Sequence, residues 1–258
     1  MDVLIDRREL LEKAREKGLN LMLVEKDYVL GWLLFGFSEN NNLVFKGGTA
    51  LSKIYFPRIW RLSEDLDFSL VSGELRNILG GIESVFSGIK RKSGIGFSLK
   101  SSHLNPNYLQ LKIQYQGVIG RNWIKVDVTR NDLVENPVMK PIHAGYSDYI
   151  PFKIKVETLE EIFASKLRSV IERKKCRDYF DLWQLSKMKF DRQKIREIFR
   201  KKCAIKGIKP QGMLQIFPSG LSDTLEPYWE RELERLINPA PEMETVMNDL
   251  KKSLEFLS

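Results

Sequence analysis

Two aspartates one residue apart in a segment of alternating polarity, Asp65-Leu66-Asp67-Phe68, set the strongest limit on how this chain folds. In an extended strand residues i and i+2 share a face, so Leu66 and Phe68 pack inward while both carboxylates project together. The alternation predicts a strand over 66–71, ended by Gly73. Two carboxylates held side by side repel unless a cation lies between them. Hard divalent cations, Mg2+ above all, prefer such oxygen ligands. Asp-x-Asp also arises by chance in ordinary strands, so the pair gains meaning only from its surroundings.

Upstream, Leu43-Val44-Phe45 reads as a short strand running into Lys46-Gly47-Gly48-Thr49, and 49–55 reads as a helix closed near Pro57. Glycines at a strand-to-helix turn let the backbone approach a phosphate, and the N–H groups of a helix start favour anionic oxygens. Gly47, Gly48 and Thr49 are therefore candidate nucleotide ligands, with Lys53 one turn on adding positive charge. The turn is not a P-loop, because the spaced glycines and terminal Gly-Lys-[Ser/Thr] are absent. Downstream, 108–115 and 124–129 alternate as strands joined by a hairpin over 117–122. Lys125, Asp127 and Thr129 share the polar face of the second strand. Placed beside Asp65 and Asp67, Asp127 completes a three-carboxylate site. Such a site can hold two metal ions roughly 3.5–4 Å apart for an in-line phosphoryl displacement.

Helices are predicted around Leu4, Leu10, Leu11 and Ala14 with a stop at Gly18, over 22–37, and over 74–90, where Leu75, Ile78, Leu79, Ile82 and Phe86 recur at helical intervals. Pro137, Pro141, Gly145 and Pro151 mark a loop-rich boundary. Beyond it the chain reads as helical: Thr158 to Glu161 has capping-box spacing, further helices follow over 176–187 and 192–202, prolines 210, 218 and 227 punctuate the remainder, and an amphipathic helix closes it over 242–257. The expected architecture is α+β, with a first domain over 1–150 and a basic helical domain with an acidic tail over 151–258.

Charge divides the same way. The net charge of +8 is concentrated in residues 166–209, where sixteen Lys or Arg face five Asp or Glu. Residues 210–258 hold four basic and nine acidic residues. A polyanion for the basic stretch is the sharper reading and a solvated helical face the plainer one. Arg173, Lys174, Lys175 and Arg177 are its candidate nucleic-acid contacts. The two cysteines, Cys176 and Cys203, form no motif spacing, which points to a reducing, cytoplasmic setting. Two histidines exclude multi-histidine metal chemistry. The apolar run 29–37 is about half a membrane span and follows three charged residues, so it reads as a buried helix and no membrane partner is expected.

The succession of strand, Gly-Gly-Thr, helix, Asp-x-Asp strand and single-Asp strand resembles the nucleotidyltransferases of the DNA polymerase β-like fold. The wording from Phe45 to Lys53 and from Arg61 to Phe68 resembles the AbiEii/AbiGii toxin family, which includes the MenT toxins. Glu25-Lys26-Asp27-Tyr28 is similar to that family too, as are Lys166, Arg173 and the block Arg177-Asp178-Tyr179-Phe180-Asp181-Leu182-Trp183. The likeness touches residues 25–183. It implies a mixed sheet flanked by helices and transfer of a nucleoside monophosphate from an NTP to an acceptor, most naturally tRNA. The metal would be Mg2+ or Mn2+ on Asp65, Asp67 and Asp127, with Asp127 also aiding deprotonation of the acceptor. Lys166 and Asp178 would belong to a C-terminal motif contributing to catalysis, with Lys166 also a nucleotide contact. A type IV toxin–antitoxin or abortive-infection role, with an antitoxin from an adjacent gene, is implied as well. Sixteen residues separate Gly48 from Asp65, a longer gap than in many polymerase β-like enzymes. The residues alone leave open a non-catalytic nucleic-acid-binding protein on a degenerate transferase fold, or transfer to a protein or small molecule.

Overall fold

The computed structural model describes residues 5–57, 61–143 and 145–257. They form two compact units that divide between Glu157 and Thr158.

The first unit opens with α1 (Arg7–Lys17), capped by the Asp6 side chain and ended by Gly18 in the left-handed region at φ 60°. Leu10 and Ala14 are buried on its inner face; Leu4, expected on that face, lies outside the described residues. Helix α2 (Leu21–Ser38) is buried on nearly every side, including Glu25, Lys26 and Asp27. No described helix is long and apolar enough to cross a membrane.

Seven strands among the described residues form one sheet. They are β1 (Leu43–Lys46), β2 (Asp65–Leu70), β3 (Gly96–Asn105), β4 (Tyr108–Gln116), β5 (Arg121–Arg130), β6 (Val138–Pro141) and β7 (Lys153–Val156). Their spatial order is β3-β4-β5-β2-β1-β7-β6. Strand β2 runs parallel to β5 and β1 parallel to β7, while the other neighbours are antiparallel. This is the mixed, helix-flanked sheet that the resemblance implies. Leu66, Phe68, Leu109, Leu111, Ile113, Ile124, Val126 and Val128 are buried on one face. Residues between them carry the polar groups of the other face, as period-2 alternation requires.

Between β1 and β2, helix α3 (Gly47–Ala50) passes into wider π-type turns over Leu51–Tyr55. The helix expected over 74–90 is two helices, α4 (Leu75–Gly80) and α5 (Ile82–Ser93), because the Gly80-Gly81 pair interrupts it. Helix α5 packs on α2 and β3.

The second unit is helical. Helix α6 (Leu159–Arg173) begins with the expected capping box, in which the Thr158 amide donates to Glu161 Oε2 at 3.0 Å and the Glu161 amide to Thr158 Oγ1 at 3.4 Å. Then come α7 (Cys176–Ser186), α8 (Arg192–Ile205), α9 (Met213–Ile216), α10 (Leu221–Leu233) and α11 (Met243–Ser253), with a final single turn over Glu255–Leu257. Helix α10 contains Pro227, which as punctuation argues against a helix there. Burial of Leu221, Leu225, Trp229 and Leu233 at four-residue intervals outweighs it.

Candidate active site

The antiparallel register places Lys46, the last residue of β1, opposite Asp67. The chain then turns through Gly47, whose φ of 78° favours glycine; a Cβ there would lie 2.7 Å from Asp67 Oδ2. The backbone thus passes directly against a carboxylate. Two residues on, the buried Thr49 hydroxyl donates to the Asp65 carbonyl and shares a 2.6 Å hydrogen bond with Ser63. The Gly47-Gly48-Thr49 turn is therefore fastened to the strand bearing Asp65 and Asp67, and the amides of the turn are what it can offer a phosphate.

Parallel pairing of β2 with β5 puts Asp67 level with Asp127 and Asp65 level with Lys125, all on the polar face. Lys125 Nζ stands 2.9 Å from Asp127 Oδ2 and 3.9 Å from Asp65 Oδ2. The other Asp127 oxygen accepts from Tyr108 Oη at 2.7 Å and Gln110 Nε2 at 3.1 Å. Lys46 Nζ reaches Thr129 Oγ1 at 2.6 Å and also pairs with Asp132. Burial and then the Asp127 charge push the Asp67 carboxyl above the usual carboxylate range, against the pull of Lys46. Burial disfavours the Lys125 ammonium, but its hydrogen bond to Asp127 and the nearby carboxylate charges raise it overall. Tyr108 is held protonated by burial and by its bond to Asp127.

The donor set suits a hard divalent cation, since Asp67 feels more negative charge than its lysines offset. Among the described residues, however, no three carboxylate, imidazole or thiolate groups converge as a cage for a metal ion. The Lys125 ammonium bridges Asp65 and Asp127. Tyr108, Gln110, Lys46 and Lys125 complete the site, and sequence reasoning assigned none of them a role. The signal for Tyr108 and Gln110 was the even-numbered polar face of β4, but only the cross-strand register shows that it meets Asp127.

Lys53, expected to add positive charge near the phosphate turn, pairs with Asp27 of α2. Its Nζ is buried against Asp27, 2.7 Å from both Oδ2 and the backbone carbonyl. Tyr146 Oη donates to the same Asp27 carboxylate at 2.9 Å. Burial lowers the Lys53 ammonium against the pull of Asp27. These groups border a cavity of about 340 Å³ with Lys13, Lys17 and His143. The motif Glu25 to Tyr28 works as a set of latches. Glu25 accepts from the Ile119 amide of the β4–β5 hairpin, Lys26 faces Glu64 at 3.5 Å, and Tyr28 donates to Asp148. Successive helical residues point about 100° apart, so α2 is anchored in four directions.

In the second unit, Lys166 on α6 lies between two fully buried carboxylates of α7, 2.8 Å from Asp178 Oδ1 and 2.6 Å from Asp181 Oδ2. Arg173 adds a bidentate pair to Asp178 at 2.8 and 3.0 Å. Burial would raise the Asp178 carboxyl, but the Lys166 and Arg173 charges hold it well below the usual range. The structure thus unites Lys166, Asp178 and Arg173 in one network joining two helices. Lys175 and Arg177 border a separate groove with Glu232 and Arg235. Lys174 ends α6 in the left-handed region at φ 43°.

A phosphate-approaching turn fastened to a strand of paired carboxylates, on a mixed sheet of this order, is the construction of a nucleotidyltransferase. The family model described as nucleotidyl transferase AbiEii toxin, type IV TA system, matches residues 32–253. The chain belongs to this AbiEii family of nucleotidyltransferase toxins from type IV toxin–antitoxin systems. Its fold is similar to that of MenT4, a nucleotidyltransferase toxin from Mycobacterium tuberculosis H37Rv, with a TM-score of 0.76 at 20% identity over 98% of this chain and 89% of that one. JHP933 from Helicobacter pylori has a TM-score of 0.60 at 18% identity, covering 93% of each chain. A putative nucleotidyltransferase from H. pylori gives the same score and identity over 93% of this chain and 96% of that one. No curated protein matches the chain.

Proposed function

We propose that the chain transfers a nucleoside monophosphate from an NTP to tRNA in a reducing, cytoplasmic setting, releasing pyrophosphate. The observation that carries this reading is the level pairing of Asp67 with Asp127 on parallel strands, beside the glycine turn packed on Asp67. Asp65, Asp67 and Asp127 would hold Mg2+ or Mn2+. Such an ion, when bound, neutralises phosphate charge and favours the attacking hydroxyl. The amides of Gly47, Gly48 and Thr49 orient the phosphates, while Lys125 and Lys46 supply fixed positive charge. Asp127, oriented by Tyr108 and Gln110, accepts the proton of the acceptor hydroxyl. Lys166 and Asp178, held with Asp181 and Arg173, act as positioning residues of the helical unit. Arg177 and Lys175 remain candidate contacts for the acceptor. Type IV membership supports an antitoxin partner.

The test is incubation with Mg2+, each labelled NTP in turn and total tRNA, with Asp65→Ala and Asp67→Ala as controls. Label is expected on tRNA and absent with either variant. Transfer unaffected by both substitutions refutes the site. Protein and small-molecule acceptors run alongside decide the acceptor.

A further inference from the structure

Strand β5 places a third side chain in line with its site residues. Trp123, Lys125 and Asp127 alternate on one face, and Trp123 is 37% exposed. Lys112 Nζ lies over the indole 4.0 Å from its ring centroid, and Lys26 Nζ lies 5.2 Å from it. Across the β4–β5 ladder the same face continues as Gln114 opposite Trp123, Lys112 opposite Lys125 and Gln110 opposite Asp127. Beyond that, on β3, Ser101 and His103 stand opposite Lys112 and Gln110 and are exposed. The result is an open polar sheet face running away from the carboxylates, with the Trp123 ring and lysines around it.

We propose that Trp123, with Lys112, is the stacking platform for a base of a single-stranded RNA acceptor, set back from the end that is modified. Every nucleobase has a π-face, and aromatic side chains interleaved with cations are the means by which proteins hold single strands. Lys112 rests on the ring through an exposed cation–π contact, which is weak, so a base can replace it while the ammonium moves to a flanking phosphate. At ~3.3 Å per residue, Trp123 is about 13 Å from Asp127 along the strand. That backbone separation exceeds the span from an NTP's α-phosphate to its base, which favours a nucleotide of the acceptor as the occupant. This inference rests on the nucleotidyl-transfer reading for its meaning, but its test does not depend on catalysis.

The experiment measures anisotropy of a labelled 12-nucleotide single-stranded RNA with the full chain, alongside equilibrium dialysis of each NTP. Trp123→Ala is expected to weaken RNA binding by roughly 10-fold, while Trp123→Phe stays within about 3-fold because a ring remains. Lys112→Ala should lower the slope of log affinity against log salt by about one. NTP binding should be unchanged in all three. RNA that fails to bind the wild type, or binds Trp123→Ala equally well, overturns the proposal. So does loss of NTP binding with RNA unaffected, which would move the ring to the nucleotide. Asp65→Ala and Asp67→Ala separate the two readings: if they keep both transfer and RNA binding, the active-site assignment falls while the Trp123 comparison still decides the platform.

Discussion

Replacing Lys166 by alanine tests how the helical unit is held. The substitution takes the 2.8 Å partner from Asp178 and the 2.6 Å partner from Asp181, both fully buried. Removing one member of a buried ion pair costs about 3–5 kcal/mol, because the charge left behind has no water. Arg173 still neutralises Asp178 through its bidentate contact, so the low end, about 3 kcal/mol, is expected. Against a typical total of about 5–15 kcal/mol this is a large loss. In urea, with a slope of roughly 1–3 kcal/mol per molar, it moves the midpoint by about 1–3 M. The assay is equilibrium unfolding followed by far-UV circular dichroism and tryptophan fluorescence. The triple variant Lys166→Met, Asp178→Leu, Asp181→Leu removes the buried charges together, leaving only the half-exposed Arg173, and should recover most of the loss, since apolar replacements of buried ion networks are often neutral or better. The folded Asp178 carboxyl titrates below its unfolded value, so its contribution is complete above the ordinary carboxylate pKa of about 3.9 and fades as pH falls toward the folded value. Wild type should lose this increment in acid, and Lys166→Ala should lose less. A Lys166→Ala penalty under about 1 kcal/mol, or a triple variant no better than the single, refutes the reasoning.

Asp67→Asn should raise stability at neutral pH while abolishing nucleotide transfer. The folded Asp67 carboxyl is shifted upward, so its protonated form suits the fold, and stability declines as pH rises through that value; a thermal melt at pH 7 without metal checks the gain. Gly47→Ala forces a Cβ against Asp67 Oδ2 and imposes the left-handed region on alanine, with an expected cost of about 1–2 kcal/mol and reduced transfer, read by denaturation and the labelled-NTP assay. Thr158→Ala removes the α6 capping box and should cost about 1 kcal/mol in the same unfolding experiment. Cys176 and Cys203 are buried, and burial pushes their thiols up to about 12 and about 11. Native protein should therefore resist a thiol reagent at pH 8 until denaturant is added, and rapid native labelling would contradict this burial.

Features that depend on a few adjacent residues were legible in the sequence. The glycine turn, the Asp-x-Asp strand and the α6 capping box each rest on spacing within one or two turns of chain. Strand β3 was not legible because it carries an irregularity between Leu99 and Ser101. The shift moves its apolar residues from odd positions (Phe97, Leu99) to an even one (Leu104), and alternation is lost. The pairing of Lys53 with Asp27 was not legible, because Asp27 lies on α2, far back along the chain. Tyr108 and Gln110 were invisible for a different reason: a strand's own pattern says which side chains share a face, not which residue lies opposite on its neighbour.

The parallel pairing of β2 with β5 bears on the order in which the chain acquires its chemistry. Asp67 and Asp127 are brought level across sixty residues of sequence, whereas β4 and β5 meet through a short hairpin. Local pairings form first, and distant ones wait on the larger loss of chain freedom. A ribosome that has completed β2 has made both neighbouring carboxylates but not the strand that orders them. On the proposed site, transfer requires the β4–β5 hairpin to have emerged and docked, so a chain that ends before Asp127 is expected to be inactive.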